Sequence, residues 1–268
     1  MEWAGELGAD PVALLVCGLA VTLGALVQGV LGFGLALLAV PVLAWLAPQT
    51  VPVGILVAVM PLLVVSALRE RAHLDLRGMG WALVGRLPGG AAGALAVAVL
   101  PVPGLQLLVA ATVGLAVVAA VLADRRPRPA ELPPGRSAAD APTPTPRPPR
   151  RTTLALAGAL SGIGGTTSGI GGPPMAIAFR NSGGPAIRST LAAFFIVGAL
   201  LSIGSLAVVG EVTGPKLLAG TTLVPFVGVG YLCSGWLRRR ARPHVVRTAV
   251  LGLSGVSAVL LLVAALRG

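Results

Sequence analysis

The chain has 268 residues, 55% hydrophobic and only 11% charged, with a mean hydropathy of +0.91. A water-soluble domain carries about 25% charged residues, so this composition excludes one and identifies an integral membrane protein. The formal net charge of +11 would suit nucleic acid by its total, but the basic residues gather in short segments between apolar stretches, which is the mark of membrane orientation. The lipid bilayer is therefore an expected partner and nucleic acid is not.

At the N-terminus, Glu2, Glu6 and Asp10 stand where a removable signal peptide carries its positive region, so the first apolar stretch is expected to stay. That stretch, 11–46, is too long for one span, since a membrane helix needs about 17–25 residues. It contains Gly32-Phe33-Gly34 and needs a bend. Six clear spans follow the usual length, at 51–68, 79–99, 105–123, 189–209, 217–237 and 248–266. The stretch 153–179 is again too long and carries the most unusual run in the chain, from Ser161-Gly162-Ile163 through Gly164-Gly165-Thr166-Thr167-Ser168 to Gly169-Ile170-Gly171-Gly172-Pro173-Pro174-Met175.

Charge placement gives these segments a topology. Basic residues cluster in 69–77, in 124–152, at Arg180 and Arg188, and in 238–247, together 17 of the 20 in the chain. All of them lie on the cytoplasmic side only if 11–46 and 153–179 each enter and leave the membrane on one side. The expected fold is thus an all-α polytopic membrane protein of two inverted repeats, each a re-entrant or broken helical hairpin plus three transmembrane helices. The first repeat is 1–123 and the second 153–268. Between them, 124–152 reads as a Pro/Arg-rich cytoplasmic linker without apolar periodicity. An offset of 137 positions relates Gly32 to Gly169, Gly34 to Gly171, Pro88 to Pro225 and Gly93 to Gly230, in keeping with a repeat.

Non-helical backbone within a bilayer survives only where protein or a watery cavity satisfies its polar groups. The two glycine-rich breaks are therefore the expected substrate site. Pro173 and Pro174 suit the first turn of a new half-helix, whose amides at Gly171 and Gly172 would favour an anion. Thr166, Thr167 and Ser168 would add hydroxyl donors beside Gly165 and Gly169, and Gln28, Gly32 and Gly34 would enter from the first break. Arg86 is the one basic residue well inside a span, with two readings: attraction of the anion, or snorkelling to the interface. Gly89 and Gly93 read as helix-packing positions, Glu211 as a solvated loop charge, and Cys17 and Cys233 as packing residues without a disulfide. His73 and His244 fall in cytoplasmic loops. No catalytic residue, metal site or cofactor is indicated, and no phosphate-binding loop for ATP is present.

The Ser168-Gly169-Ile170-Gly171-Gly172-Pro173-Pro174 run, the glycine-rich segments opening each half, and the segments Leu87-Pro88-Gly89 and Val224-Pro225 make the chain resemble the sulfite exporter TauE/SafE family of membrane permeases. In the first half the family's fuller glycine motif is reduced to Gly32-Phe33-Gly34-Leu35. The resemblance implies transport, often export, of small sulfur-containing anions such as sulfite or sulfonates. Combined with the breaks, it gives the expectation of a secondary transporter, and not an enzyme, with alternating access around a glycine-rich midplane site. A passive anion channel and a non-transporting scaffold are the alternatives. The expected location is the cell membrane, multi-pass, as in a bacterial inner membrane. The expected partner besides lipid is a small anionic substrate, with a homo-oligomer left open.

Overall fold

A computed structural model of the chain describes residues 10–69, 76–124, 150–179, 184–240 and 243–267. Most of the expected linker, residues 125–149, lies outside the described residues, as do the loop residues His73 and Arg180. Ten α-helices and one 3₁₀ turn account for the described chain, which contains no strand.

In the first half these are α1 (Pro11–Leu31), α2 (Leu35–Leu46), α3 (Val53–Arg69), α4 (Leu76–Val99) and α5 (Val102–Asp124), with the 3₁₀ turn Pro48–Thr50 before α3. The second half holds α6 (Arg151–Ser168), α7 (Gly172–Ala178), α8 (Gly184–Val208), α9 (Gly214–Arg240) and α10 (Pro243–Arg267). Asp10 starts α1 as an N-cap, its carboxylate accepting from the amides of Val12 at 2.9 Å and Ala13 at 3.3 Å, and Pro11 takes the first turn, where no amide partner is needed. Pro88 lies inside α4 and Pro225 inside α9, the same place in each half.

Among the described residues, four helices are long and apolar enough to cross a membrane, within Pro11–Leu31, Gly78–Val99, Ser189–Val208 and Gly214–Arg240. Three of these match the expected spans 79–99, 189–209 and 217–237. The expected span 51–68 is the 17-residue α3, and 105–123 and 248–266 fall on α5 and α10. The arms of the first hairpin are unequal. Its first arm, α1, has 21 residues and is itself long enough to cross, while α2 has 12. In the second hairpin α6 has 18 residues and α7 only seven.

Helices of the two halves exchange partners. α1 packs on α9 while α6 packs on α4; α3 also packs on α9, and α8 on α4; α3 meets α8 and α5 meets α10. Glycines permit the closest of these crossings. A Cβ at Gly85 or Gly89 would meet the backbone of Ala155 or Ala159, and one at Gly158 the backbone of Ala82, so α4 and α6 touch main chain to main chain. On the opposite pair, a Cβ at Gly18 would meet the Phe226 ring, one at Gly230 the Thr22 carbonyl and one at Gly29 the Ser234 side chain. In both pairs the contacts advance together along the two helices, so each pair runs in one direction. The Thr22 hydroxyl donates to the Phe226 carbonyl at 3.2 Å, and the residues 137 positions away from these two, Ala159 and Gly89, also touch.

Candidate functional site

Both breaks are built the same way, from a helix ended by a glycine in the left-handed region. In the first, Gly32 has φ 85° and its N–H donates to the Gln28 carbonyl at 2.7 Å, and Gly34 follows at φ 125°. A side chain at these angles is strained. The Gln28 Oε1 then accepts from the Leu35 amide at 3.1 Å, satisfying a donor that α2 would otherwise leave orphaned. In the second, Gly169 has φ 72°, its N–H donates to the Gly165 carbonyl at 3.0 Å, and the Ile170 N–H donates to the Gly164 carbonyl at 3.0 Å. Pro173 and Pro174 fall in the first turn of α7.

The second break is therefore only Gly169–Gly171, shorter than the glycine-rich run suggests. Thr166, Thr167 and Ser168 belong to the last turn of α6 and are almost wholly buried. Their hydroxyls do not stand ready for a ligand. Thr167 donates to the Ile163 carbonyl at 2.9 Å and Ser168 to the Gly164 carbonyl at 2.8 Å, the local back-bonding that hydroxyls make inside helices. The Thr166 hydroxyl pairs with that of Ser202 on α8, 2.7 Å away. With seven residues, α7 also brings a much smaller dipole than a full half-helix.

The polar centre is instead Arg86. Near the middle of α4, it is 3% exposed, so it does not snorkel. Its Nη1 donates to the Ser161 carbonyl at 2.9 Å and to the Ser161 hydroxyl at 2.8 Å, and its Nη2 reaches the Ser202 hydroxyl at 3.4 Å. The guanidinium lies over the Phe194 ring, 5.1 Å from the centroid, a cation–π contact. Its Nε is buried with no hydrogen-bond partner. Among the described residues, no carboxylate is within ion-pair distance of it. Glycines make room: a Cβ at Gly198 would strike the guanidinium, and one at Gly165 would come within 2.7 Å of Nη2.

Ser161 links this cation to the second break, because its hydroxyl donates to the Gly171 carbonyl at 2.8 Å. The two breaks also touch each other. A Cβ at Gly172 would lie 3.0 Å from Cβ of Phe33, and one at Gly169 would lie 3.9 Å from Cβ of Ala36. Where they meet is a cavity of about 50 Å³, lined by Gln28, Gly34, Arg86, Gly165, Gly169, Gly171 and Gly172 and closed by apolar Ile55, Leu56 and Phe195. One water needs about 10–15 Å³ of such space, so the cavity holds several waters or one small anion. Gly32 lines a neighbouring cavity of about 20 Å³, which shares Gln28 and Leu63 with the first. Thr167 lines a third, of about 240 Å³, at the opposite ends of the helices. Thr166 and Ser168 line none of these three.

Ser161, Ser202 and Phe194 were not among the residues expected at the site. Ser161 opens the glycine-rich run and was legible as part of it, whereas Ser202 and Phe194 lie in an apolar span that also holds Ser205 and Phe195, and nothing in the sequence sets them apart. Glu211, expected as a solvated charge, pairs with Lys216 at 2.5 Å and lines the third cavity.

Comparison with curated proteins finds no match, and none is found among solved structures. A family model does match: that of the sulfite exporter TauE/SafE family, over residues 16–261.

Proposed function

The chain belongs to the sulfite exporter TauE/SafE family of membrane transporters, and from that premise we propose that it is a secondary transporter exporting small sulfur-containing anions such as sulfite or sulfonates, with Arg86 as the anion receptor. One observation carries this reading: a buried arginine, with no carboxylate partner among the described residues, lines the cavity where the two breaks meet. Removing a lone guanidinium from water costs several kcal/mol. An anion about 4 Å away would recover about 4 kcal/mol at an effective dielectric of about 20. The planar fork of arginine also suits a small oxyanion. Gln28 holds the first break, Ser161 holds both the guanidinium and the second break, and the glycines let main chain approach the ligand.

The exchanged packing of the halves, with left-handed glycines 137 positions apart, supports two inverted repeats that rock against one another. Arg69, Arg151 and Arg238–Arg240 fall at one end of the bundle, which the positive-inside rule makes cytoplasmic, in a cell membrane. At the other end, apolar packing separates the central cavity from the third. Leu56 and Ala199, which line the central cavity, belong to one buried cluster with Val97, which lines the third, and Leu105 packs against it. The two cavities share no lining residue. An interrupted path of this kind favours alternating access over a passive channel.

Counterflow in proteoliposomes tests the proposal. Labelled sulfite should exchange saturably against unlabelled sulfite, with no matching ionic conductance. A large conductance without saturable exchange would replace the transporter with a channel, and absence of both would remove the transport reading.

A further inference from the structure

The central cavity has two unlike walls. Arg86, from α4, is the one charged side chain among the described residues that line it, and Gln28 adds a neutral amide whose Oε1 is already taken by the Leu35 amide. The other wall is apolar. Ile55, Val59 and Leu63, spaced at i, i+4 and i+8 and so forming one stripe of α3, line the cavity together with Phe195 of α8. The charge comes from one helix and the stripe from another, and α8 packs on both.

We infer that this site selects singly charged anions that carry a small apolar substituent, and turns away dianions of the same size. The inference rests on the reading of Arg86 as the anion receptor. A guanidinium is a fixed single positive charge, so it neutralises one negative charge and no more. A second charge on the ligand would be left to Ile55, Val59 and Leu63, and an ion stripped of water without a partner is far costlier to bury than a neutral group. An apolar group against the same stripe gains by leaving water. The space is bounded as well. At about 10–15 Å³ per water, the cavity of about 50 Å³ holds about three to five, which suits a sulfonate head with a methyl group and excludes a long chain. Sulfite on this account crosses as hydrogensulfite, bringing its own proton.

The test is calorimetric titration of the full chain in detergent with small anions matched in shape. Methanesulfonate is a monoanion with a methyl group, and sulfamate has the same charge and shape with an amino group in its place. Sulfate is doubly charged. Methylphosphonate keeps the methyl group and takes its second charge near neutral pH. Methanesulfonate should bind saturably, and sulfamate at least about fivefold more weakly, because a buried donor is left unpaired. Sulfate should bind at least about tenfold more weakly than methanesulfonate, and methylphosphonate should lose at least about tenfold on passing its second ionisation. Methanesulfonate, whose charge is constant, should bind alike on both sides of that pH. Sulfate or dianionic methylphosphonate binding as tightly as methanesulfonate would overturn the charge selection while leaving Arg86 as the receptor, provided Arg86→Gln still loses methanesulfonate. Sulfamate binding as tightly as methanesulfonate would overturn the apolar half of the inference. Methanesulfonate bound equally by wild type and Arg86→Gln, or no response to any of these anions, removes the Arg86 reading and this inference with it. The titrations use wild type, so they decide the charge selection even if Arg86→Gln does not fold.

Discussion

A single side chain, that of Ser161, receives Arg86 and holds the second break. The Arg86 Nη1 donates to its hydroxyl at 2.8 Å, and that hydroxyl donates to the Gly171 carbonyl at 2.8 Å. Charge and backbone break are thus coupled through one oxygen. Ser161→Ala should leave Gly171 without that donor and Arg86 with a weaker partner set. Leaving buried polar groups unpaired costs about 1–3 kcal/mol, so the thermal midpoint should fall by several degrees and sulfite flux should drop. Ser161→Thr, which keeps a hydroxyl, should retain more of both. The check is a melting curve and a flux assay on each variant.

Gly171 itself leaves almost no room. A Cβ there would lie 2.7 Å from the Ser161 hydroxyl and 3.2 Å from Nη1 of Arg86. Gly171→Leu should abolish transport, whereas replacement of Leu35 by another apolar residue, at the start of α2, should matter less. Proteoliposome flux, compared at matched protein incorporation, reads the difference.

Gly85 and Gly89 have a different task, since a Cβ on either would meet the backbone of α6. Overpacking of this kind costs about 1–3 kcal/mol and occasionally more. Gly89→Val should therefore lower yield and thermal stability, and the protein that survives purification should still gain stability from sulfite. Retained stability with lost sulfite response would instead place Gly89 at the site.

The apolar cluster around Leu56, Val97 and Ala199 predicts a gating phenotype. A polar group there would wet the barrier between the central and outer cavities. Leu56→Asn should produce a sulfite leak, measured as efflux without counter-substrate, while substitution by Ile should not.

Much of this arrangement was legible in the sequence. Hydrophobic length gave the helices, and the charge pattern gave two broken stretches in place of two straight spans. The positions of the glycines then located both breaks. What composition concealed was the division of labour near Ser168. A run of hydroxyls and glycines reads as an open loop, but a helix continues until a residue adopts a left-handed conformation, and that residue is Gly169, not Gly164 or Gly165. Thr167 and Ser168 consequently turn their hydroxyls to helix carbonyls. Two readings of Arg86 also stood equal in the sequence. Its burial depends on Ser161, Ser202 and Phe194 from two distant helices, and spacing along one segment carries no trace of such partners.

The most direct measurement is calorimetric titration of sulfite into purified wild-type and Arg86→Gln protein, with Arg86→Lys alongside. Saturable binding by wild type, weakened at least about tenfold by the Gln change and partly kept by Lys, is the predicted result; about tenfold corresponds to 1.4 kcal/mol. Equal binding by wild type and Arg86→Gln would contradict the account, because the buried guanidinium would then not be the group that holds the anion.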